Sequence, residues 1–179
     1  MKYLICSDIH GSYHYLKRII KIFDREKCDK LLILGDILYH GPRNHLPRGY
    51  SPKKVLHLLN NYKDKIISVK GNCDAEIDEM VLDFPLYNQY EFYDNGIFFM
   101  THGHKVNPNN PIERPKNSFV LYGHTHVHLI SKVNDVIYIN PGSISLAKGD
   151  KINSFAVLDT NKITIYTLKM HKLLEYKTR

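Results

Sequence analysis

Five times along this chain a short apolar run ends in a turn that sets Asp, Asn or His beside Gly. Residues 3–6 (YLIC) run into Ser7-Asp8-Ile9-His10-Gly11, and residues 31–34 (LLIL) into Gly35-Asp36. Residues 66–69 (IISV) run into Lys70-Gly71-Asn72-Cys73-Asp74. Residues 97–100 (IFFM) lead to Thr101-His102-Gly103-His104, and residues 119–122 (FVLY) to Gly123-His124-Thr125-His126. Short apolar runs bounded by turn residues read as buried strands. Ligands of open α/β sheets bind outside the carboxyl ends of strands. A Gly there lets the backbone bend sharply and approach a ligand. Strands laid side by side would bring Asp8, His10, Asp36, Asn72, His102, His124 and His126 to one rim.

The stretches between the first runs carry a helical period. Ser12 stands where an N-cap belongs, ahead of Leu16, Ile19, Ile20 and Phe23. Ser51-Pro52 marks a second helix start, followed by Val55, Leu56, Leu59 and Tyr62. Strands alternating with helices argue for parallel pairing. The second half changes character. Residues 86–93 and 97–100 flank the hairpin signal Asp94-Asn95-Gly96. Residues 106–115 read as a loop, and residues 128–133, 136–139, 155–158 and 163–168 as further strands. Turns are expected at Asn134-Asp135 and Asp159-Thr160-Asn161. The basic tail (Lys169, His171, Lys172, Lys177, Arg179, with Glu175 and Tyr176) reads as a frayed, solvated end. The expectation is an α/β fold of two packed β-sheets flanked by helices, in one domain over residues 1–179.

Charge and cysteine content narrow the classes. Lys plus Arg number 25 against 18 Asp plus Glu, a net charge of +7. Such a field favours anionic partners, although a lysine-rich solvated surface gives the same sum. Cys6, Cys28 and Cys73 have no CxxC spacing, which argues against a disulfide scaffold or zinc ribbon and for a reducing, cytoplasmic setting. The N-terminal apolar stretch stops at Asp8, too early for a signal-peptide core, and no run approaches the ~18 apolar residues of a membrane span. No basic aromatic stripe or separate nucleic-acid module is present.

The seven strand-end residues offer two carboxylates, one amide oxygen and four imidazoles. Such a mixture suits Mn, Fe, Ni or Zn and is too rich in nitrogen for a Ca or Mg cage. Seven ligands exceed one tetrahedral ion and suit two ions bridged by a carboxylate, the arrangement used for in-line displacement at phosphorus. Each residue alone has an ordinary explanation: an Asp cap, a Gly-Asp turn, a surface His pair. Five such turns at the same topological place make a shared site the better reading.

The order D-x-H, G-D, G-N-C-D, a further His, and G-H-x-H resembles the signature of the calcineurin-like metallophosphoesterases. Residues 35–50 (GDILYHGPRNHLPRGY), Gly71-Asn72-Cys73-Asp74 and Asn140-Pro141-Gly142-Ser143 make it similar to the short YfcE-type phosphodiesterases. The resemblance implies a four-layer αββα sandwich and two divalent metal ions, expected to be Mn, with Fe, Ni or Zn as alternatives. It gives the first ion Asp8, His10, Asp36 and His126, and the second Asp36, Asn72, His102 and His124. A hydroxide shared by the ions would attack phosphorus in a phosphate ester, with Asn72 helping to hold phosphate oxygens. Cys73 stands where many relatives carry a His that assists the leaving group, and a neutral thiol is a weak donor. His104 is placed near the site and His128 on a strand. Arg43 and Asn44 are the candidate substrate-binding residues of the loop 40–50, which also carries His45 and Arg48. The expected partner is a small phosphate ester, nucleotides included; a homo-oligomer is left open. The alternatives are a protein-binding scaffold of the same fold, as in the retromer subunit, and a nuclease or nucleotide phosphatase.

Overall fold

Alternation of strand and helix in the first half builds a parallel stretch of sheet. Strands β1 (Lys2–Cys6), β2 (Lys30–Ile33) and β3 (Ile66–Val69) pair in parallel, with helices α1 (Tyr13–Arg25) and α2 (Pro52–Asn60) as the crossovers. The computed structural model describes residues 1–178; Arg179 of the basic tail lies outside the described residues. Leu16, Ile19, Ile20 and Phe23 form the buried stripe of α1, and Pro52 occupies the first turn of α2. Neither Ser12 nor Ser51 caps through its side chain. The Ser12 hydroxyl instead donates to the Arg48 carbonyl at 2.6 Å, tying the loop 41–50 to the start of α1.

A third helix, α3 (Glu76–Val81), leads to the short strand β4 (Leu86–Tyr87), which pairs in parallel with β3. The chain then crosses to a second sheet. Here β5 (Tyr90–Tyr93) and β6 (Ile97–Met100) form the expected hairpin about Asp94-Asn95-Gly96. The single strand expected over 86–93 is thus two strands in different sheets. β7 (Phe119–Leu121), β8 (His128–Val133) and β9 (Val136–Pro141) complete the second sheet in the order β5-β6-β7-β9-β8. β10 (Ser154–Asp159), β11 (Lys162–Thr167) and β12 (Lys172–Lys177) return to the first sheet, ordered β12-β11-β10-β1-β2-β3-β4.

The tail is therefore a paired edge strand and not a frayed end. Leu173 and Tyr176 pack on the core, and the Tyr176 ring meets Phe119 edge-on at 6.1 Å. Glu175 accepts from the Thr164 hydroxyl at 3.1 Å and stands 3.5 Å from the ammonium groups of Lys162 and Lys172, so the charges that suggested solvation pair locally.

The sheets face each other through Tyr3, Ile5, Leu32, Leu34 and Val69 on one side and Phe98, Met100, Phe119, Leu121, Ile137 and Ile139 on the other. The alternation of strand side chains sends Leu4, Cys6, Leu31 and Ile33 to the opposite face, against Leu16, Ile19, Phe23, Val55 and Leu59 of the helices. On the outer face of the five-stranded sheet, Phe99, Val120, Tyr122 and Tyr138 are covered by Val106 and Ile112. The expected two packed sheets with helices are present, but among the described residues this outermost layer is the loop 101–118 and not a helix.

Candidate metal centre

The five ligand-bearing turns do not lie side by side in one sheet. β1, β2 and β3 deliver Asp8, His10, Asp36 and Asn72 from the first sheet, and β6 and β7 deliver His102, His124 and His126 from the second. Face-to-face packing brings both rims to one place. The turns are strained there: φ is +55° at Asp8, +47° at His10, +56° at Asp36, +65° at His124 and +61° at His126. Non-glycine residues held in this left-handed region cost about 1–3 kcal/mol each, and such strain gathers at functional sites. The backbones also approach closely. A Cβ at Gly71 would stand 2.1 Å from Asp36 Oδ1, and one at Gly123 1.9 Å from Ser7 Oγ.

The imidazoles are oriented from behind. Nδ1 of His10 donates to the Tyr39 carbonyl at 2.8 Å, Nδ1 of His102 to Leu34 at 2.7 Å and Nδ1 of His126 to Leu146 at 2.7 Å. A carbonyl only accepts, so each Nδ1 carries the proton and Nε2 faces inward. Nε2 of His10 and Nε2 of His126 are 3.2 Å apart. Asp8 Oδ1 lies 3.3 Å from the second and 3.8 Å from the first. This oxygen is fully buried and has no hydrogen-bond partner. With both rings neutral, three lone pairs converge with no proton among them, an arrangement that a divalent cation satisfies.

Asp36 joins this group to the next. Its Oδ2 is 3.6 Å from His10 Nε2 and 3.4 Å from His102 Nε2, while Oδ1 accepts from the Cys73 amide at 2.8 Å. His102 Nε2 is also 3.1 Å from Asn72 Oδ1. Burial disfavours the His102 cation, but pairing with Asp36 and the charge of Asp8 prevail and raise its pKa to about 9. Burial likewise opposes the Asp36 charge, yet His102 holds this carboxyl well below the usual carboxylate range. Without a metal, a proton on His102 thus supplies positive charge beside Asp36. Among the described residues, three groups have ligating atoms within 4.8 Å of one another: Asp8/His10/His126, His10/Asp36/Cys73 and Asp8/Asp36/His102.

His124 belongs to the same rim but to none of these groups. Its amide donates to Asp8 Oδ2 at 3.0 Å, and its ring lies 5.2 Å from that of His102. His104 is exposed, 5.5 Å from His102 ring to ring, and His128 opens β8 as expected. An open cleft of about 940 Å³ lies over the centre. Arg43, Asn44, Cys73 and His124 line it, together with Tyr39 and Lys148; His45 and Arg48 do not. The Asn44 side-chain amide is engaged by the His40 carbonyl at 2.9 Å. Burial, then the Asp36 charge, push the Cys73 thiol up to about 12.

Sequence reasoning marked Asp74 and Asn140-Pro141-Gly142-Ser143 only as features of the resemblance and gave them no role in holding the turns. Asp74 accepts from the amides of Asp36 (2.8 Å), Ile37 (2.7 Å) and Gly71 (2.8 Å), so one carboxylate clamps the β2 and β3 turns together. Burial raises its pKa to about 6 against these three donors. The hydroxyls of Ser143 and Ser145 donate to the Asp8 carbonyl at 2.8 and 2.9 Å. The Asn140 amide donates to the Gly123 carbonyl at 2.8 Å. The Asn140-Pro141-Gly142-Ser143 segment therefore splints the ligand turns. Lys148 was also missed, since Lys148-Gly149-Asp150 carries only a turn signal.

Among the described residues, no helix is long and apolar enough to cross a membrane. A family model described as "Calcineurin-like phosphoesterase superfamily domain" matches residues 1–163. The chain is 38% identical over 176 residues to Phosphodiesterase YfcE of Escherichia coli strain K12, covering 97% of this chain and 96% of that protein. A solved structure titled as Yfce, a phosphoesterase from E. coli, superimposes with a TM-score of 0.97 at 37% identity over all of both chains. Vacuolar Protein Sorting 29 from Cryptosporidium parvum matches with a TM-score of 0.65 at 18% identity, over 98% of this chain and 97% of that one, a likeness of fold alone.

Proposed function

This chain belongs to the calcineurin-like phosphoesterase superfamily, and on that premise we propose that it is a dimetal phosphodiesterase acting as a single domain. The observation that carries the reading is the meeting of Asp8 Oδ1, His10 Nε2 and His126 Nε2, three buried ligand atoms within 3.8 Å of one another, of which the Asp8 oxygen has no hydrogen-bond partner. Asp8, His10, Asp36 and His126 would hold one ion, and Asp36, Asn72, His102 and His124 the other. Asp36 is suited to bridge, because Oδ2 faces imidazoles of both sets while Oδ1 is fixed by the Cys73 amide. Two divalent cations, Mn by preference and Fe, Ni or Zn otherwise, would polarise the phosphoryl oxygens and make water nucleophilic near neutral pH.

The remaining roles fall to the chain's own groups. Arg43 and Asn44 line the cleft beside the centre, and the Arg43 guanidinium suits a second phosphate oxygen or a flanking anion. Asn72 would contribute its carbonyl oxygen to the ion and its amide toward phosphate. Hydrolysis breaks the phosphorus–oxygen bond of the ester, and the departing oxygen must gain a proton. Cys73, with its thiol pushed up to about 12, stays neutral and is a weak donor. General-acid help is commonly worth ~10²–10⁴-fold in rate. Activated aryl diesters, which leave without it, are therefore the favoured substrates, and esters with basic leaving groups the poor ones. The donor set is complete, which favours an enzyme over a scaffold of the same fold. Three free thiols, two of them buried, accord with a reducing cytoplasm.

The test is metal analysis and turnover on one preparation. Protein reconstituted with Mn is expected to bind close to two equivalents per chain (the dimetal arrangement,). It is expected to hydrolyse aryl phosphodiesters in preference to monoesters and cyclic nucleotides. A stoichiometry capped at one under saturating metal, or hydrolysis indifferent to chelation, overturns the proposal.

A further inference from the structure

The centre also holds a sulfur atom that the phosphodiesterase reading leaves without a bond to metal. The Cys73 sulfur, a His10 ring nitrogen and an Asp36 carboxylate oxygen form one of the three close groups, all within 4.8 Å of one another. His10 and Asp36 are buried, while Cys73 is half-buried and lines the open cleft. The His10 nitrogen facing this group is Nε2, because Nδ1 is committed to the Tyr39 carbonyl. Next to that nitrogen, at 3.8 Å, is the buried and partnerless Asp8 Oδ1. The sulfur thus stands at the solvent side of this cluster of donor atoms.

We infer that Cys73 is a conditional ligand of this centre: it stays a bystander when a hard ion such as Mn²⁺ is bound, and joins His10 and Asp36 as a thiolate when a thiophilic ion such as Cd²⁺ or Zn²⁺ enters. The inference rests on the metal-centre reading above. Donors bound to one ion at about 2.0–2.3 Å in a tetrahedral shell stand about 3.3–3.8 Å apart, so a group within 4.8 Å closes when its members, the half-buried Cys73 side chain foremost, draw in by up to about an ångström. Soft sulfur contributes little to a hard ion and much to a soft one. On ligation the sulfur–hydrogen bond breaks, the proton leaves to solvent, and the sulfur electron pair forms the new bond to the metal. The added negative charge neutralises the ion and lowers its power to polarise phosphate. Drawing Asp36 toward the sulfur also pulls it from its place between the two sets of imidazoles. Cd²⁺ is therefore expected to be bound tightly and to inhibit, where Mn²⁺ activates.

The experiment adds Cd²⁺ alone to the metal-free full chain. It reads retained metal by elemental analysis and thiolate ligation by the sulfur-to-cadmium charge-transfer band, which lies in the ultraviolet to the short-wavelength side of the aromatic absorption. The expected result is such a band in the parent, its absence with Mn²⁺, and its loss in Cys73→Ser together with at least about a tenfold weaker hold on Cd²⁺. Retained Cd²⁺ without the band overturns the inference while leaving the metal centre standing. A band that survives in Cys73→Ser belongs to Cys6 or Cys28 and also overturns it. Failure to retain Cd²⁺ or Mn²⁺ at all overturns both. A second measurement needs no variant: alkylation of the parent, read by mass spectrometry on the peptide that holds Cys73, is expected to be blocked by Cd²⁺ and not by Mn²⁺. Equal alkylation in both overturns the inference.

Discussion

The two sheets meet at the centre with different chemistry. The seven-stranded sheet supplies all the oxygen donors, Asp8, Asp36 and Asn72, with one imidazole, His10. The five-stranded sheet supplies only imidazoles, His102, His124 and His126. Neither rim alone brings nitrogen and oxygen together in the required number. The bonds that orient each donor also cross the seam: His102 is held by the Leu34 carbonyl and the His124 amide by Asp8. The centre is thus a property of the packing between sheets, and whatever loosens that packing disperses the donors.

The contrast is tested most severely at the oxygen-rich rim. Asp36→Asn keeps the size of the side chain and removes the charge shared by both donor sets. Loss of several kcal/mol of charge stabilisation corresponds to about 10³-fold or more in kcat/KM, with metal content falling as well. Near-normal turnover and metal content would remove Asp36 from the bridge. Substitution at the nitrogen-rich rim is expected to cost less. His126→Ala or His102→Ala each deletes one terminal donor, with a fall of about 10²-fold and metal content moving from about two toward about one. If either exceeds Asp36→Asn in effect, the division of labour between the rims is wrong.

Chelation probes the seam itself. Each metal site filled at about 100 times its Kd adds about 2.7 kcal/mol to the folded state, so stripping the metal is expected to lower Tm by about 5–11 °C per site in differential scanning calorimetry. A smaller shift would mean that the apolar face between the sheets holds the seam unaided. The mildest effect is expected behind the centre. Asp74→Asn loses a carboxylate that accepts three backbone amides and is expected to reduce kcat/KM by about 10–100-fold, below the cost of Asp36→Asn. A change confined to Tm, with kinetics intact, would make Asp74 a fold residue only.

Sequence pattern revealed the two halves of the centre unequally. That these seven residues share one rim was legible because each follows an apolar run at a Gly-bearing turn, and strand ends are where a sheet can present side chains without giving up its ladder. Their division between two sheets was not, since pairing partners leave no mark on a run such as FVLY. The split of residues 86–93 was hidden for a related reason: alternation continues through Tyr87 and Tyr90 although the backbone changes sheet between them. Lys172 and Lys177 concealed β12, whose only core signal is Leu173 and Tyr176. The splinting role of Asp74, Ser143 and Ser145 was silent because it is exerted on backbone amides and carbonyls, which any sequence possesses.

The left-handed turns at Asp8, His10, Asp36, His124 and His126 also bear on how a protein of this kind ages under relaxed selection. These are positions where glycine or asparagine fits the backbone better than most residues do. Were catalysis no longer required, drift toward such residues would discard the donors and relax these turns in the same step. The strain relieved in this way would offset part of the stability that bound metal contributes.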